Sequence, residues 1–174
     1  MAGAAVLGRL KPLTWQLCDV AEVVEETLHV KTLVLDAPDW PGHFAGQHVD
    51  IHCVTRWSKL DTTWQGVSVD TLLAEIEHDA PYVLAHSDGG YTTNLPLEDV
   101  SDGKAWVAFG YDDEPLDPEH GGPARLLVPH LYFWKSAKWV RGLQLLDENE
   151  PGFWETYGYH IYGDPWREQR FAGD

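Results

Sequence analysis

Cations are scarce in this sequence, with 12 Lys and Arg against 28 Asp and Glu and a formal charge of -16. That balance argues against nucleic acid or an anionic membrane surface as a partner, because both attract basic proteins. Cysteine is scarcer still, with only Cys18 and Cys53. Their wide separation suggests no disulfide framework, so the expected location is a reducing cytoplasm. Long hydrophobic runs are missing too. Ala4-Ala5-Val6-Leu7 is brief and comes with no twin arginine and no cleavage site, so neither export nor a membrane span is expected. No phosphate-binding glycine loop, Ser-His-Asp signature, haem attachment motif or internal repeat occurs, which leaves electron transfer to a separate protein partner.

What is present is enough chain, 174 residues, for one well-buried core. Nine tryptophans are enough to line a deep pocket, although core and rim packing accounts for most of them. Residues 17–24 and 28–35, rich in valine and leucine, flank Glu25-Glu26-Thr27 and predict a hairpin. Residues 36–46 carry Pro38, Pro41, Gly42 and Gly46 and read as a loop. Residues 46–54 alternate, with Val49, Ile51 and Cys53 on one face and His48, Asp50 and His52 on the other. Cys53 is therefore expected to end a strand facing inward. Ser68 ahead of Val69, Leu72, Leu73 and Ile76 is helical spacing behind a capping hydroxyl. Residues 82–86, 105–111, 125–128 and 139–146 predict further strands, parted by clusters of glycine, proline and aspartate. An acidic loop, residues 112–123, carries His120. The expected fold class is α+β, strand-rich with mixed sheets and few helices.

Charge is not evenly spread. Arg125, Lys135, Lys138 and Arg141 crowd one short stretch and reverse the overall sign there, which favours an anion site. Three segments carry the chemistry. His52-Cys53-Val54-Thr55-Arg56-Trp57-Ser58 sets a thiol beside a cation. Glu119-His120-Gly121-Gly122-Pro123-Ala124-Arg125 sets a fork-shaped donor behind two glycines that permit close backbone approach. Trp134-Lys135-Ser136-Ala137-Lys138-Trp139-Val140 adds ammonium groups and consecutive amides, which together cradle anions. A thiolate suits a soft or high-valent metal, and guanidinium suits a buried phosphate. Taken alone, Cys53 would more often be a small buried hydrophobe. A zinc site built from His43, His48, His52 and Cys53 is disfavoured, because period-two geometry sends the thiol to the opposite face from His48 and His52. Carboxylate pairs such as Asp112-Asp113 sit in loops with no accompanying base, and solvated acidity suffices for them.

These segments, with Gly90-Tyr91-Thr92-Thr93-Asn94-Leu95-Pro96-Leu97 and Gly163-Asp164-Pro165-Trp166-Arg167-Glu168-Gln169-Arg170, resemble the molybdenum-cofactor domain of the sulfite oxidase family. The resemblance covers residues 50–174 and extends to the short bacterial members and the methionine sulfoxide reductase catalytic subunits. It implies a sulfite-oxidase-like fold and a molybdenum-molybdopterin cofactor. It also implies that Cys53 is the protein thiolate on the metal, and that Ser87, His120, Arg125, Ser136, Ala137 and Lys138 hold the pterin and its phosphate. The implied reaction is oxygen-atom transfer on a small oxyanion or sulfoxide, with electrons passing to or from another protein. Position and charge make Arg56 the candidate for holding the oxyanion. Lys135 could assist the phosphate site or form a surface ion pair, and Asp88 would weaken that site if it pointed inward.

Residues 23–35 followed by Ala45-Gly46-Gln47-His48-Val49-Asp50 resemble the opening of a ferredoxin-reductase-type flavin domain. On that likeness the chain divides into a hairpin segment, residues 1–49, and a molybdopterin-binding domain, residues 50–174, incomplete at its start. The alternatives it raises are a flavin-dependent reductase or electron-transfer protein, and a cofactor-free remnant.

Overall fold

The computed structural model describes residues 19–25, 31–36 and 44–174 apart from residue 75, with side chains described from residue 49 onward. Cys18, His43 and the side chain of His48 therefore lie outside the described residues. In chain order the elements are β1 (Asp19–Glu25), β2 (Lys31–Asp36), β3 (Phe44–His52), β4 (Ser58–Ser68), α1 (Val69–Leu73), β5 (Tyr82–Ser87), β6 (Thr92–Pro96), β7 (Trp106–Tyr111), β8 (Glu114–Pro115), β9 (Arg125–Leu127), β10 (Val140–Leu146) and α2 (Phe153–Thr156). β1 pairs with β2, from Asp19 opposite Asp36 to Glu25 opposite Lys31, the hairpin expected from the two apolar runs. A larger sheet has the order β3-β4-β7-β8, with β9 also on β7, and a second has the order β10-β5-β6. Every pairing among the described strands is antiparallel.

β9 divides the interior. Successive strand residues point to opposite faces. Leu126 therefore joins a cluster with Val83, Ala85, Leu95, Val100, Val128 and Leu131, and Leu127 joins another with Val49, Ile51, Trp64 and Ala108. Each fully buried Leu or Val contributes roughly 1.5–3 kcal/mol of transfer free energy. Arg125, on the same face of β9 as Leu127, thus lies against the second cluster, over Trp64 and Phe133.

Three strands were not anticipated: β4, β6 and the two-residue β8, which lies inside the expected acidic loop of residues 112–123. β4 carries Lys59, Asp61, Thr62, Thr63 and Gln65, which mask its alternation, yet Thr62, Trp64 and Gly66 are the buried set. The Thr62 hydroxyl is satisfied by donating to the Val49 carbonyl and accepts from Trp64 Nε1 at 2.9 Å. β6 is polar in sequence, but it lies against the largely buried β5 and encloses Thr93 and Asn94. The helix behind Ser68 forms as expected at its start, where the Ser68 hydroxyl accepts from Asp70 N at 3.2 Å. It ends at Leu73 rather than Ile76, which is exposed. β3 begins at Phe44, inside the expected loop of residues 36–46.

Candidate cofactor and substrate site

Cys53 does not end a strand; it opens the turn between β3 and β4. Cys53 N donates to the Trp57 carbonyl at 2.9 Å and Arg56 N to the Cys53 carbonyl at 3.0 Å, closing a tight loop. Arg56 sits at φ 70°, a left-handed conformation that costs any residue with a Cβ energy, so the turn is held in place by its surroundings. The thiol is half-buried and accepts from the Thr55 hydroxyl at 3.1 Å. The thiolate is the form of cysteine that binds metals.

The thiol borders a cavity of about 460 Å³ whose other lining residues include Arg56, Tyr132, Glu168 and Arg170. Arg170 closes it from the far end of the chain, donating from Nη1 to the Val54 carbonyl at 2.6 Å across 116 residues of sequence. Sequence reasoning named Cys53 and Arg56 here but missed Tyr132 and Arg170, since no spacing signal links residues that distant. Among the described residues no three His, Cys, Asp or Glu side chains are grouped to hold a metal ion, and His52 Nδ1 is 2.8 Å from Ser58 Oγ.

The second group converges next to this cavity. Arg125, at the head of β9, is buried and donates from Nη1 to the His120 carbonyl at 2.8 Å and from Nη2 to the Ser136 carbonyl at 2.7 Å. Its guanidinium lies 4.0 Å over Phe133, whose ring in turn meets Trp57 of the cysteine loop at 6.4 Å. Desolvation draws its pKa down to about 10, so it stays a cation at neutral pH. Ser136 Oγ accepts from Val128 N at 2.9 Å, the Ala137 carbonyl accepts from Leu126 N at 2.8 Å, and Lys138 Nζ donates to the Glu119 carbonyl at 2.6 Å. The His120 side chain is exposed. The turn of residues 118–122, β9 and residues 136–138 are thereby bonded into one body, with Ser87 reaching it through Asp88 N on the Trp139 carbonyl at 3.0 Å.

The cation cluster expected from sequence is split. Lys135 is neither a phosphate ligand at the surface nor part of a surface pair, because its ammonium is buried against Glu155. Arg141 is exposed and holds Asp88 through two bonds of 2.6 and 2.5 Å, which turns the aspartate toward Arg141 and keeps its carboxyl below the usual range. Of the four cations, Arg125 and Lys138 remain together at the His120 turn. Arg125 Nε and Ser87 Oγ are buried without a protein partner. Buried donors are normally satisfied, so each fits a polar or anionic group arriving beside it.

The family model of the oxidoreductase molybdopterin binding domain matches residues 7–154. The uncharacterized oxidoreductase YuiH of Bacillus subtilis is 54% identical over 127 residues, covering 72% of this chain and 64% of that protein. A protein-methionine-sulfoxide reductase catalytic subunit, MsrP, of Gluconobacter oxydans is 27% identical over 139 residues, covering 66% of this chain and 44% of the other. The sulfane dehydrogenase SoxCD of Paracoccus pantotrophus has the same fold, with a TM-score of 0.58 at 23% identity over 70% of this chain and 36% of that one. The chain spans less than two-thirds of each of these proteins. The family match runs through residues 7–49, so the flavin-domain likeness of that segment finds no support; a short strand pattern is common to many folds. The chain belongs to the family of oxidoreductase molybdopterin-binding domains.

Proposed function

We propose that this chain is the cofactor-binding part of a molybdenum oxidoreductase that exchanges an oxygen atom with a small oxyanion or a sulfoxide. The observation that carries the reading is the half-buried Cys53 thiol on a cavity flanked by Arg56 and Arg170. The methionine-sulfoxide reductase among its relatives favours an oxygen carried on sulfur. When bound, the molybdenum cofactor supplies the two-electron exchange of oxygen with substrate. Cys53 provides the thiolate ligand, with Thr55 donating to the sulfur. Arg125, Ser136, Ala137 and Lys138 hold the phosphate end of the pterin, and Ser87 and His120 hold the pterin itself. Arg56, exposed at the cavity rim, holds the substrate oxyanion by a charge-assisted hydrogen bond. Electrons pass to or from a separate protein.

The test is metal analysis of protein purified from a host that makes molybdopterin. Molybdenum near one equivalent is expected, with pterin fluorescence after denaturation, and both are expected to be lost in Cys53→Ala while the melting temperature is retained. Wild-type protein free of both would sink the reading.

A further inference from the structure

The short helix α2 presents its side chains in two directions. Glu155 points inward, onto Lys135 and Trp134 Nε1, while Phe153 and Trp154 beside it are exposed. Their rings meet at 5.2 Å, Phe153 meets Tyr157 at 5.0 Å, and Tyr159 meets Trp154 at 5.0 Å and Phe171 at 5.5 Å. Tyr157 and Phe171 are the most open of the set, at 71% and 53%. Together Phe153, Trp154, Tyr157 and Phe171 expose the equivalent of about two whole side chains, roughly 400 Å² at about 200 Å² each. A contiguous apolar patch of that size marks an interaction surface, unlike apolar residues exposed singly. The patch is also held rigid, because Tyr159 and Phe171 form a β-bridge and Ala172 N donates to the Gly158 carbonyl at 2.9 Å. Its rim is acidic. The exposed residues Asp147, Glu148 and Glu150 lead into α2, and Asp174 accepts from Phe171 N at 2.7 Å. The cations nearest in sequence are engaged elsewhere, Arg167 with Asp164 at 3.5 Å and Arg170 with the Val54 carbonyl. Inward, Tyr159 meets Trp134 at 5.2 Å, and Trp134 stacks on Tyr132 in the wall of the Cys53 cavity.

We propose that this aromatic face is the docking surface for the separate electron-transfer protein, and that this partner is basic around its redox group. The inference rests on the function proposed above. Reduction of a sulfoxide to the sulfide and water consumes two electrons and two protons, and oxidation of sulfite by water to sulfate releases two of each. The partner is a redox protein in either direction. The acidic rim steers a cationic protein to the face, and the rings supply the anchors on which it seats. Covered on both sides, a patch of this extent buries roughly 800 Å², the scale of a transient electron-transfer encounter and too little for a stable dimer. A second copy of this chain, itself at a formal charge of -16, would also be repelled. Because the rings lie in unbroken contact from the face to Tyr132, a partner seated there is joined to the cavity through packed protein.

Two probes, mitochondrial cytochrome c with its lysine-ringed haem edge and an acidic plant-type ferredoxin, are titrated by calorimetry at low ionic strength. The titrations use wild type, Tyr157→Ser and Leu60→Ser, each as holoenzyme and as cofactor-free protein. Wild type is expected to bind the cytochrome and not the ferredoxin. Y157S should bind the cytochrome about tenfold more weakly, as loss of one aromatic anchor predicts. Its melting temperature and molybdenum content should be unchanged, since the Tyr157 ring stands mostly in water. Leu60, 64% exposed on β4, is an apolar side chain outside the aromatic cluster, so L60S should bind as wild type does. The proposal is overturned if wild type does not bind the cytochrome, if Y157S binds it equally well, if L60S weakens it as much, or if the ferredoxin binds. A wild-type dimer in sedimentation that Y157S dissolves would overturn it too, by assigning the face to a second copy. Failure of the functional reading looks different: wild type would lack molybdenum, and the cofactor-free titrations would still report on the aromatic face.

Discussion

Lys135 Nζ lies 2.6 Å from Glu155 Oε1 with both side chains 1% exposed, an ion pair enclosed under the segment that carries Ser136 to Lys138. The ammonium also donates to the Asn94 carbonyl and Asn94 Oδ1, both at 2.9 Å, and to the Ile161 carbonyl at 2.8 Å. Trp134 Nε1 donates to the same Glu155 oxygen at 2.8 Å. One cation thereby ties β6, α2 and the chain around Ile161 to the segment that carries Ser136 to Lys138. Removing one partner leaves the other charge buried and unpaired, which costs about 3–5 kcal/mol. Lys135→Met should lower the unfolding free energy in urea by that amount. The double variant with Glu155→Leu should cost less than the sum of the two single changes. A loss below about 1 kcal/mol in the single variant would mean that the pair is not enclosed as described.

The same pair predicts a pH dependence. Desolvation draws the Lys135 pKa down to about 8 from 10.5, against the raising pull of Glu155. The folded state therefore holds this proton less tightly than the unfolded chain. Between those two values the unfolded chain carries a proton that the folded one lacks, so the contribution of Lys135 to stability rises with pH across the window. Tyr162, pushed up to about 12 by burial and Asp99, acts in the opposite direction above the ordinary tyrosine range. The contribution of Lys135 is isolated by subtracting the K135M profile from wild type. That difference should grow from about pH 8 to about pH 10 in urea titrations, and a flat difference would contradict the shift.

Legibility in the sequence followed local contrast. β5, β7, β9 and β10 are apolar runs bounded by glycine, proline and aspartate, and their boundaries fell within a residue or two of the expected ones. β4 and β6 were missed because their burial rests on Thr and Asn side chains whose polar atoms are mostly satisfied within the protein, and composition does not reveal satisfaction. The segments around Cys53, His120, Arg125 and Ser136 were legible as motifs, and the structure bonds the last three together. Lys135 read as a surface cation, since a lysine is almost never enclosed unless paired, and its partner lies 20 residues on in an unremarkable acidic stretch. Tyr132 and Arg170 were invisible for a related reason: the cavity they complete exists only once the C-terminal residues fold over the cysteine loop.

Arg125 tests whether fork geometry or charge alone holds the site. Its two terminal nitrogens reach the His120 and Ser136 carbonyls at once, and its plane lies over Phe133. A lysine keeps the charge but presents a point donor that cannot span both carbonyls or stack flat. Arg125→Lys should cost about 2–3 kcal/mol, from one carbonyl left unmatched and the stacking lost. Molybdenum content should fall by more than the unfolded fraction explains. Full stability and metal content in R125K would show that charge suffices.

Gly122 sets the position of the His120 turn against the segment that precedes it. A Cβ at this position would lie 2.0 Å from the Leu116 carbonyl oxygen and 3.0 Å from its carbon. Those are backbone atoms, so no rotamer change relieves the overlap and the turn itself must move. The neighbouring Gly121, at φ 109°, would meet Lys138 Cβ and Cγ at 3.0 Å and Arg125 Cβ at 3.1 Å, milder overlaps that a small shift relieves, with the cost of the left-handed backbone added. Gly122→Ala should therefore lose more than Gly121→Ala, by more than about 1 kcal/mol in chemical denaturation. The displacement also carries the His120 carbonyl away from Arg125 Nη1, so G122A should shed molybdenum at a protein concentration where G121A retains it. Equal losses in the two variants would mean that the turn yields freely, and that the glycine pair serves backbone conformation rather than close packing against residue 116.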